Sequence, residues 1–253
     1  MTDRLDGQVV IVTGAGRGAG AAIALALAAA GASVAANDIN PDRAEATARA
    51  IQEAGGKALA IDADVSNRFH CVKLIESTRA EWSRLDLLVN QAHVSPASTV
   101  LKMDEWDWDR CLDVNLKGTF FMSQQLGRHL VQGHRPGCVI NIASAHGVLG
   151  FAQRTTYAIS KAGIIHMTRM LAYEWADHGI RLNAVAPGTV ETKTRAEYFN
   201  AYPQARQAMM DRIPVHRFGT PEEVGAAVSY LASPAAAYIT GQTLLLDGGL
   251  TSY

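Results

Sequence analysis

The sequence has few cysteines, and they lie far apart. Only Cys71, Cys111 and Cys138 occur among its 253 residues. This is an odd number without a CxxC pair, so we expect neither a disulfide framework nor a zinc site. An excess of charge of one sign is also missing, because 23 basic side chains stand against 24 acidic ones and the formal net charge is -1. Without a basic stripe, we expect no binding to nucleic acid or to an anionic membrane surface.

Long hydrophobic runs are absent as well. The longest apolar stretch, residues 21–30, is much shorter than the roughly 20 residues that a membrane span needs. The first six residues contain no apolar secretory core. We therefore expect a cytoplasmic protein without membrane contact. Hydrophobic residues nevertheless make up 48 % of the chain and charged residues 19 %, a composition that is typical of a well-packed globular core.

The chain contains a regular alternation of strand-like and helix-like segments. Apolar, β-branched runs predict seven strands, at residues 8–13, 33–37, 57–61, 85–90, 137–143, 180–186 and 243–246. Helical segments lie between them, at residues 21–30, 41–54, 67–82, 106–130 and 155–177. Ser66 is a candidate cap for the third of these helices, and Thr220 with Glu223 predicts a capping box that begins a last helix.

This alternation predicts an α/β fold with one doubly wound parallel sheet, helices on both faces and right-handed crossovers. We see no internal repeat or linker, so residues 1–253 are expected to form one doubly wound domain. Residues 191–219 are more polar and less regular than the rest, and we interpret them as a lid.

A glycine-rich loop follows the first predicted strand directly. Residues 13–20 read TGAGRGAG. Gly14, Gly18 and Gly20 fit the pattern TGxxxGxG, whereas GxGxxG would require a glycine where Ala19 stands. Glycines allow a tight turn and a close approach to a pyrophosphate, which the free N–H groups of the following helix attract. A flexible turn would have the same letters, but the strand before and the helix after this loop favour a dinucleotide site.

The end of the second predicted strand bears on the choice of cofactor. Asp38 lies about 20 residues beyond the glycine loop, where a carboxylate accepts hydrogen bonds from the adenosine ribose hydroxyls. The same charge repels a 2′-phosphate, which favours NAD over NADP. Arg17 lies in the glycine loop and could contact a phosphate, which is an argument against the preference for NAD. The alternative for Asp38 is a helix cap before Pro41.

A tyrosine and a lysine on one helix suggest acid–base chemistry. Tyr157 and Lys161 are four residues apart and so share a helix face. An ammonium near a phenol lowers the tyrosine pKa from about 10 towards neutral, which makes the tyrosine a general base or acid. Ser144, just after the fifth strand, could hold a substrate oxygen. Alone, such a Tyr/Lys pair is usually a solvated helix face, but together with Ser144 and the glycine loop it predicts catalysis that needs no metal.

The pattern Ser144…Tyr157-x-x-x-Lys161 resembles the site of the classical short-chain dehydrogenases/reductases, and the resemblance extends over residues 7–249. It is closest to the branch of the 3-oxoacyl-[acyl-carrier-protein] reductases and the sugar or polyol dehydrogenases. The resemblance implies one Rossmann-type, NAD(P)-binding domain over residues 1–253, with a sheet of order 3-2-1-4-5-6-7, and a homotetramer. It also implies a tetrad of Asn115, Ser144, Tyr157 and Lys161, in which Asn115 anchors a water and Lys161 holds the nicotinamide ribose.

Further cofactor contacts follow only from this resemblance. Asp64 and Val65 would hold the adenine, and Val190 and Thr192 would contact the carboxamide. The remaining cofactor candidates are Gly14, Arg17, Gly18, Ala19, Gly20, Asp38, Asn90, Ala92, Tyr157, Lys161, Pro187 and Gly188.

One position departs from the family. After the fourth strand the family usually has Asn-Asn-Ala-Gly, whereas residues 90–93 read NQAH. Either the turn directs His93 out of the cofactor path, or His93 borders the nicotinamide or substrate pocket and narrows the substrate range. The candidate substrate-binding residues are His93, Ser144, His146, Gln153, Tyr157 and Tyr198, with Arg154 nearby.

The sequence thus predicts an NAD(H)-dependent oxidoreductase that interconverts a secondary alcohol and a ketone. The polar pocket candidates and Asp38 favour a small polyol, sugar or hydroxy acid as substrate. The first alternative is a 3-oxoacyl-[acyl-carrier-protein] reductase, and another is a dinucleotide-binding sensor without catalysis. A methyltransferase that uses S-adenosylmethionine would share the glycine-rich turn but would not explain Tyr157 and Lys161.

Overall fold

The computed structural model describes residues 4–252. Within them all seven predicted strands form, and their bounds are β1 Val9–Val12, β2 Ser33–Asp38, β3 Lys57–Asp62, β4 Leu87–Asn90, β5 Gly137–Ile142, β6 Ile180–Pro187 and β7 Thr243–Leu246. The α-helices among the same residues are α1 Gly18–Ala29, α2 Pro41–Glu53, α3 Arg68–Trp82, α4 Glu105–Leu112, α5 Gly118–Gln132, α6 Thr155–Glu174, α7 Lys193–Ala201, α8 Pro203–Met210 and α9 Pro221–Ala232.

The strands form one parallel sheet in the order β3-β2-β1-β4-β5-β6-β7, which confirms the predicted topology. The strand order reverses at β1, which pairs with β2 on one side and with β4 on the other. In such a sheet a crevice opens beyond the carboxyl ends of the strands at this switch point. The glycine-rich loop therefore lies where the topology places a ligand.

Helices cover both faces of the sheet, which explains why the strand sequences are continuously apolar. Val10 and Val12 pack into one core cluster, with Ile23 of α1. Ile11 belongs to a second cluster on the opposite face, with Leu126 of α5. Since successive strand side chains point to opposite faces, a strand with two buried faces needs an apolar residue at every position.

Two predicted helix features differ in the structure. The single long helix predicted at residues 106–130 consists of α4 and α5, joined by the π-helical turn Asp113–Lys117. Helix α3 is capped by Asn67 and not by Ser66, because the Asn67 side chain accepts from the Phe69 amide at 2.9 Å. The Ser66 hydroxyl instead donates to Asp64 at 2.8 Å, so the prediction for Ser66 was wrong.

The capping box at α9 is confirmed. The Thr220 hydroxyl accepts from the amide of Glu223 at 3.2 Å, and the Glu223 carboxylate accepts from the amide of Thr220 at 2.8 Å. Each partner thus satisfies a backbone donor that the first turn of a helix leaves free.

The segment predicted as a lid, residues 191–219, contains the short helices α7 and α8. Phe199 of α7 stacks on Phe218 with 5.1 Å between ring centroids. Both rings belong to a small buried cluster with Ala145, Ile213 and Leu250. This segment therefore has its own apolar core, which packs against the turn that follows β5.

The structure also bears on the cysteines, on metal ligands and on membrane-spanning helices. Cys71, Cys111 and Cys138 are buried free thiols. Residues 4–252 contain no cluster of three or more His, Cys, Asp or Glu side chains that could hold a metal ion. None of the helices in that part of the chain is long and apolar enough to cross a membrane.

Candidate active site

Backbone packs directly against backbone in the glycine-rich loop. Gly14 has a φ of +64°, and a Cβ atom there would lie 2.7 Å from Cα of Ala92. A Cβ atom at Gly20 would collide with the Gly14 carbonyl oxygen. Helix α1 begins after Arg17, which has extended backbone and provides no side-chain cap. The first amides of α1 are thus open to the crevice, which suits the pyrophosphate of a dinucleotide.

Thr13 connects this loop to the turn that follows β4. Its hydroxyl accepts from the amides of Gln91 at 3.0 Å and Ala92 at 3.2 Å. The Asn90 side chain points the other way, since its amide donates to Ser123 at 3.0 Å and to Asn141 at 2.9 Å. The Asn90 side chain is therefore hydrogen-bonded within the core, and only the Asn90 backbone is available to a cofactor.

Asp38 is buried at the end of β2 and accepts from three donors. One carboxylate oxygen accepts from the Gly16 amide at 3.2 Å. The other accepts from the Asn40 amide at 3.0 Å and from the Arg43 guanidinium at 2.7 Å. The N-cap of α2 is Asn40, whose side chain accepts from the Arg43 amide at 3.0 Å. The capping alternative for Asp38 is therefore wrong, and its negative charge stands beside the glycine loop.

The other cofactor candidates lie at neighbouring strand ends. Asp64 follows β3, where its carboxylate accepts from the Ser66 amide at 2.9 Å, and Val65 beside it is buried. Pro187 ends β6, and Val190 then forms an isolated bridge with Gly219. Thr192 caps α7, and its methyl carbon would lie 3.3 Å from a Cβ atom at Gly18. The ends of β1 and β6 thus meet across the crevice.

Lys161 is buried on α6 with 2 % of its surface exposed. Its ammonium nitrogen Nζ donates to the Ile142 carbonyl at 2.6 Å and lies 5.6 Å from the ring centroid of Tyr157. Burial lowers the pKa of Lys161 to about 7, because desolvation disfavours its charged form. The predicted one-turn spacing is therefore realised at the carboxyl end of β5, close to Ser144.

The pKa of Tyr157 is raised above its usual value of 10, and burial is the main cause. A hydrogen bond with Ser144 and the positive charges of Arg195 and Arg154 act in the opposite direction. Lys161 is not among these groups, so the predicted lowering of the tyrosine pKa by Lys161 is not what this structure shows. The physical reason is that the buried ammonium itself tends to lose its proton.

Asn115 lies on the π-helical turn between α4 and α5 and is fully buried. Its amide oxygen accepts from the Val94 amide at 2.8 Å, and its amide nitrogen donates to the Val94 carbonyl at 2.9 Å and to the Ser160 hydroxyl at 3.0 Å. Asn115 thereby ties the turn that carries His93 to the helix that carries Tyr157. Single π-turns inside helices are frequent at functional sites.

Two histidines lie near Tyr157. The ring centroids of His93 and His146 lie 6.1 Å and 5.5 Å from that of Tyr157. Nδ1 of His93 is 3.0 Å from the Gln91 carbonyl oxygen, which can only accept, so Nδ1 carries the proton and Nε2 is left as an acceptor. Desolvation, followed by the charge of Lys161, lowers the pKa of His93 to about 4. The structure thus places a neutral His93 beside Tyr157.

His146 contacts Ser144 as well as Tyr157. Its Nδ1 lies 3.2 Å from the Ser144 hydroxyl oxygen, which also accepts from the His146 amide at 3.2 Å. Phe151, which carries no sequence motif, stacks on the His146 ring at 3.8 Å. No local pattern predicts this contact, because a loop joins the two residues and only its folded path brings the rings together.

The other two candidate substrate-binding residues, Gln153 and Tyr198, make their contacts elsewhere. Gln153 has a φ of +60° and an exposed side chain, and its carbonyl accepts from the Ser98 amide at 3.2 Å. Tyr198 is 55 % exposed, and its ring contacts are with Phe199 and Tyr202 of the same segment. The structure therefore places neither of these side chains against Tyr157.

Comparison with known proteins identifies the family. The family model described as enoyl-(acyl carrier protein) reductase matches residues 14–251. The chain is 42 % identical to the 3β-hydroxysteroid dehydrogenase 1 of Eggerthella lenta, over all of this chain and 97 % of that protein. It is 38 % identical to the 3-oxoacyl-[acyl-carrier-protein] reductase of Thermotoga maritima, over 98 % of this chain and 99 % of that one.

Solved structures agree with these matches. A 7α-hydroxysteroid dehydrogenase in complex with NADH and 7-oxo glycochenodeoxycholic acid superimposes with a TM-score of 0.91 at 32 % identity, over 98 % of this chain and 95 % of that one. A protein described as a 2-deoxy-D-gluconate 3-dehydrogenase from Agrobacterium tumefaciens, with bound NADP, has a TM-score of 0.90 at 36 % identity, over 99 % of both chains.

The chain belongs to the short-chain dehydrogenase/reductase family, as the motifs predicted, and it lies near the 3-oxoacyl-[acyl-carrier-protein] reductase branch. It is an oxidoreductase for alcohol or ketone substrates, and proteins of this family use a nicotinamide dinucleotide.

Proposed function

We propose that the protein is an NAD(H)-dependent oxidoreductase that interconverts a secondary alcohol and a ketone on a small polyol, sugar or hydroxy acid. The observation that carries this proposal is the position of Ser144, Tyr157 and Lys161. They come together at the carboxyl ends of the strands, beside a glycine loop that is open to a pyrophosphate. A bound nicotinamide dinucleotide supplies the acceptor or donor of the hydride.

The protein's own side chains handle the proton. Tyr157 as the phenolate takes the hydroxyl proton of an alcohol in oxidation, and as the phenol it gives a proton to the carbonyl oxygen in reduction. The positive charges of Arg195 and Arg154 favour the phenolate, and the positive charge of an oxidised nicotinamide would act in the same direction. Ser144, whose hydroxyl oxygen lies 3.2 Å from Nδ1 of His146, orients the same substrate oxygen. Lys161 holds the nicotinamide ribose. Asn115 completes the tetrad by positioning the turn after β4, and we propose that it also anchors the water of a proton relay.

The choice of NAD over NADP rests on Asp38. Its carboxylate lies at the end of β2, where the adenosine ribose is bound in sheets of this kind, and its charge opposes a 2′-phosphate. Arg43 pairs with Asp38 at 2.7 Å and offsets part of this charge. The structures with NADH and with NADP show that relatives use either cofactor.

We further propose the cofactor contacts implied by the family motifs, with the Asn90 side chain excepted. Residues 1–253 would then be one NAD(P)-binding domain with a lid at residues 191–219. Assembly into a homotetramer through α6 is supported by the exposed apolar side chains of Ile159, Met170 and Tyr173 on that helix. Light scattering that reports a monomer would contradict this assembly. The cytoplasmic location stays a prediction.

Three relatives suggest two other kinds of substrate. The names of the 3β- and 7α-hydroxysteroid dehydrogenases favour a ring hydroxyl on a steroid, and the 3-oxoacyl-[acyl-carrier-protein] reductase of Thermotoga maritima favours an acyl-carrier substrate. A panel of alcohols and ketones should therefore include a polyol, a sugar, a hydroxy acid, a hydroxysteroid and a 3-oxoacyl thioester.

Substitution of Tyr157 by phenylalanine tests the mechanism. Tyr157→Phe removes only the hydroxyl, so turnover in either direction should fall by about 100-fold or more, while NADH binding measured by fluorescence stays unchanged. Tyr230→Phe is the matched control, because Tyr230 lies on α9, away from the site, and is 43 % exposed. Residual activity of Tyr157→Phe within about tenfold of the wild type would contradict the assigned role. A wild-type protein that binds NADH but turns over nothing in the panel would favour the sensor.

A further inference from the structure

Three arginines from separate segments bring positive charge close to His146. Arg154 immediately precedes α6, Arg195 is in the first turn of α7, and Arg212 follows α8. We refer to them as the arginine cluster. Cζ of Arg212 lies 5.2 Å from the ring centroid of Phe151, which in turn stacks on His146. This stack connects Arg212 to the histidine that touches Ser144.

Two members of the cluster have no carboxylate partner among the described residues. The Arg154 guanidinium donates to the carbonyl oxygen of Ser95 at 2.8 Å and to its hydroxyl at 3.2 Å, and both oxygens are uncharged. Neither Arg154 nor Arg195 forms an ion pair with any residue in the range 4–252. Other arginines of the lid region are paired, Arg206 with Glu191 at 2.9 Å and Arg217 with Glu223 at 2.6 Å.

The cluster gives the site a positive field. Burial is the main cause that lowers the pKa of His146 to about 4, and the charged groups that lower it further are all three members of the arginine cluster. Arg195 and Arg154 also oppose the rise in the Tyr157 pKa. Burial is the main cause that lowers the pKa of Arg195, and the charge of Arg154 lowers it further. Within residues 4–252, no carboxylate contributes to any of these pKa shifts. Guanidinium groups that repel one another at a catalytic entrance are stabilised when an anion binds between them.

We propose that the arginine cluster binds a carboxylate of the substrate, so that the preferred substrate is a hydroxy acid or the matching oxo acid. This inference rests on the proposed function, because it requires the reacting hydroxyl to lie at Tyr157 and Ser144. A planar guanidinium recognises a carboxylate through two parallel hydrogen bonds. Neutral polyols and sugars lack this contact and are poorer substrates.

The test compares each hydroxy acid with its uncharged counterpart. Pairs such as 3-hydroxybutyrate and its methyl ester, or gluconate and glucitol, are assayed with the wild type, Arg195→Gln and Arg154→Gln. Each substitution should raise KM for the acid by about 10- to 100-fold, as expected for the loss of a charge-assisted hydrogen bond, and leave KM for the neutral partner and for NAD unchanged. Lys193→Gln is the matched control, because it removes an exposed charge from the same turn of α7.

Three results would overturn the inference. The wild type could use the acids no better than their neutral partners, or the acid preference could survive both arginine substitutions. Alternatively, Arg195→Gln could raise KM for NAD and not for the acid, which would assign the cluster to the cofactor phosphates.

A binding measurement separates this inference from the proposed function. Calorimetric titration of the NADH-saturated enzyme with the same acids and esters needs no turnover. Acid binding that depends on Arg195, in a protein that oxidises none of the panel, would support the carboxylate site and refute the dehydrogenase activity. Turnover of neutral alcohols without any affinity for the acids would support the activity and refute the site.

Discussion

Replacement of Asp38 by asparagine tests the cofactor preference, because it removes the charge and keeps the shape of the side chain. In the structure the carboxylate accepts from two amides, those of Gly16 and Asn40, and from the Arg43 guanidinium. An asparagine has only one acceptor oxygen and sets its NH2 group against at least one of these donors. Asp38→Asn therefore loses hydrogen bonds at the loop and releases Arg43.

The size of the effect follows from these hydrogen bonds. A hydrogen bond to a charged group is worth about 1.5–3 kcal/mol, so the loss of the ribose contact should lower kcat/KM for NAD by about 10- to 100-fold. The loss of repulsion, together with a freed Arg43, should raise kcat/KM for NADP by a similar factor. The preference for NAD should therefore fall by about 100-fold or more. Weaker hydrogen bonding between residue 38 and the glycine loop should also lower Tm by about 2–12 °C, for a destabilisation of about 1–3 kcal/mol.

Initial rates with NAD and NADP at a fixed alcohol concentration measure this ratio, and fluorescence titration with NADH and NADPH separates binding from turnover. The matched control is Asp62→Asn. Asp62 is the partner of Asp38 on the neighbouring strand β3, but its exposed carboxylate pairs with Lys73 at 3.2 Å, so the ratio should not change. A wild type that prefers NADP, or an unchanged ratio in Asp38→Asn, would refute the reasoning.

Three further predictions concern other parts of the molecule. The pKa of Lys161 is lowered from 10.5 to about 7 in the folded protein. Between these two pH values the unfolded chain binds more protons than the folded one, so the free energy of unfolding should rise as the pH increases from about 7 to about 10.5. Denaturant titrations should show this rise in the wild type and no rise, or a smaller one, in Lys161→Met. Substitution of His93 by glycine should change the ratio of kcat/KM values across the substrate panel by about tenfold, because it removes the Nε2 acceptor beside Tyr157, and identical values for the cofactor and every substrate would exclude a role for His93. Thr220→Ala should lower the free energy of unfolding by about 1 kcal/mol because it removes the α9 capping box, and a thermal melt that does not move would contradict this.

Local patterns were sufficient for most of the architecture. Strands buried on both faces require apolar residues at every position, so β1 and β6 could be located from sequence alone. The glycine loop was equally predictable, because backbone contact at Gly14 and Gly20 excludes any side chain. The cap of α3 was mistaken, because Ser66 and Asn67 are adjacent cap formers and only the hydrogen bond from Ser66 to Asp64 decides between them.

The interior of the site depended on contacts between residues far apart in the chain. The spacing of Tyr157 and Lys161 predicted their common helix face, but the lysine pKa depends on burial behind β5, which no spacing reveals. The contacts of Asn115 could not be predicted from spacing either. Its side chain binds Val94 because a π-helical turn interrupts the predicted long helix.

The sequence by itself determined the alternation of strands and helices, the phosphate-binding loop and the Ser/Tyr/Lys set, because each depends on residues that are close in the chain or on a backbone that tolerates only glycine. The tertiary structure alone decided which charges meet. It placed His93 and His146 near Tyr157, and it brought the charges of Arg154, Arg195 and Arg212 close to His146. The direction of a side chain on a loop is set by the packing around it, and electrostatic interactions act through space between segments that the chain order keeps apart.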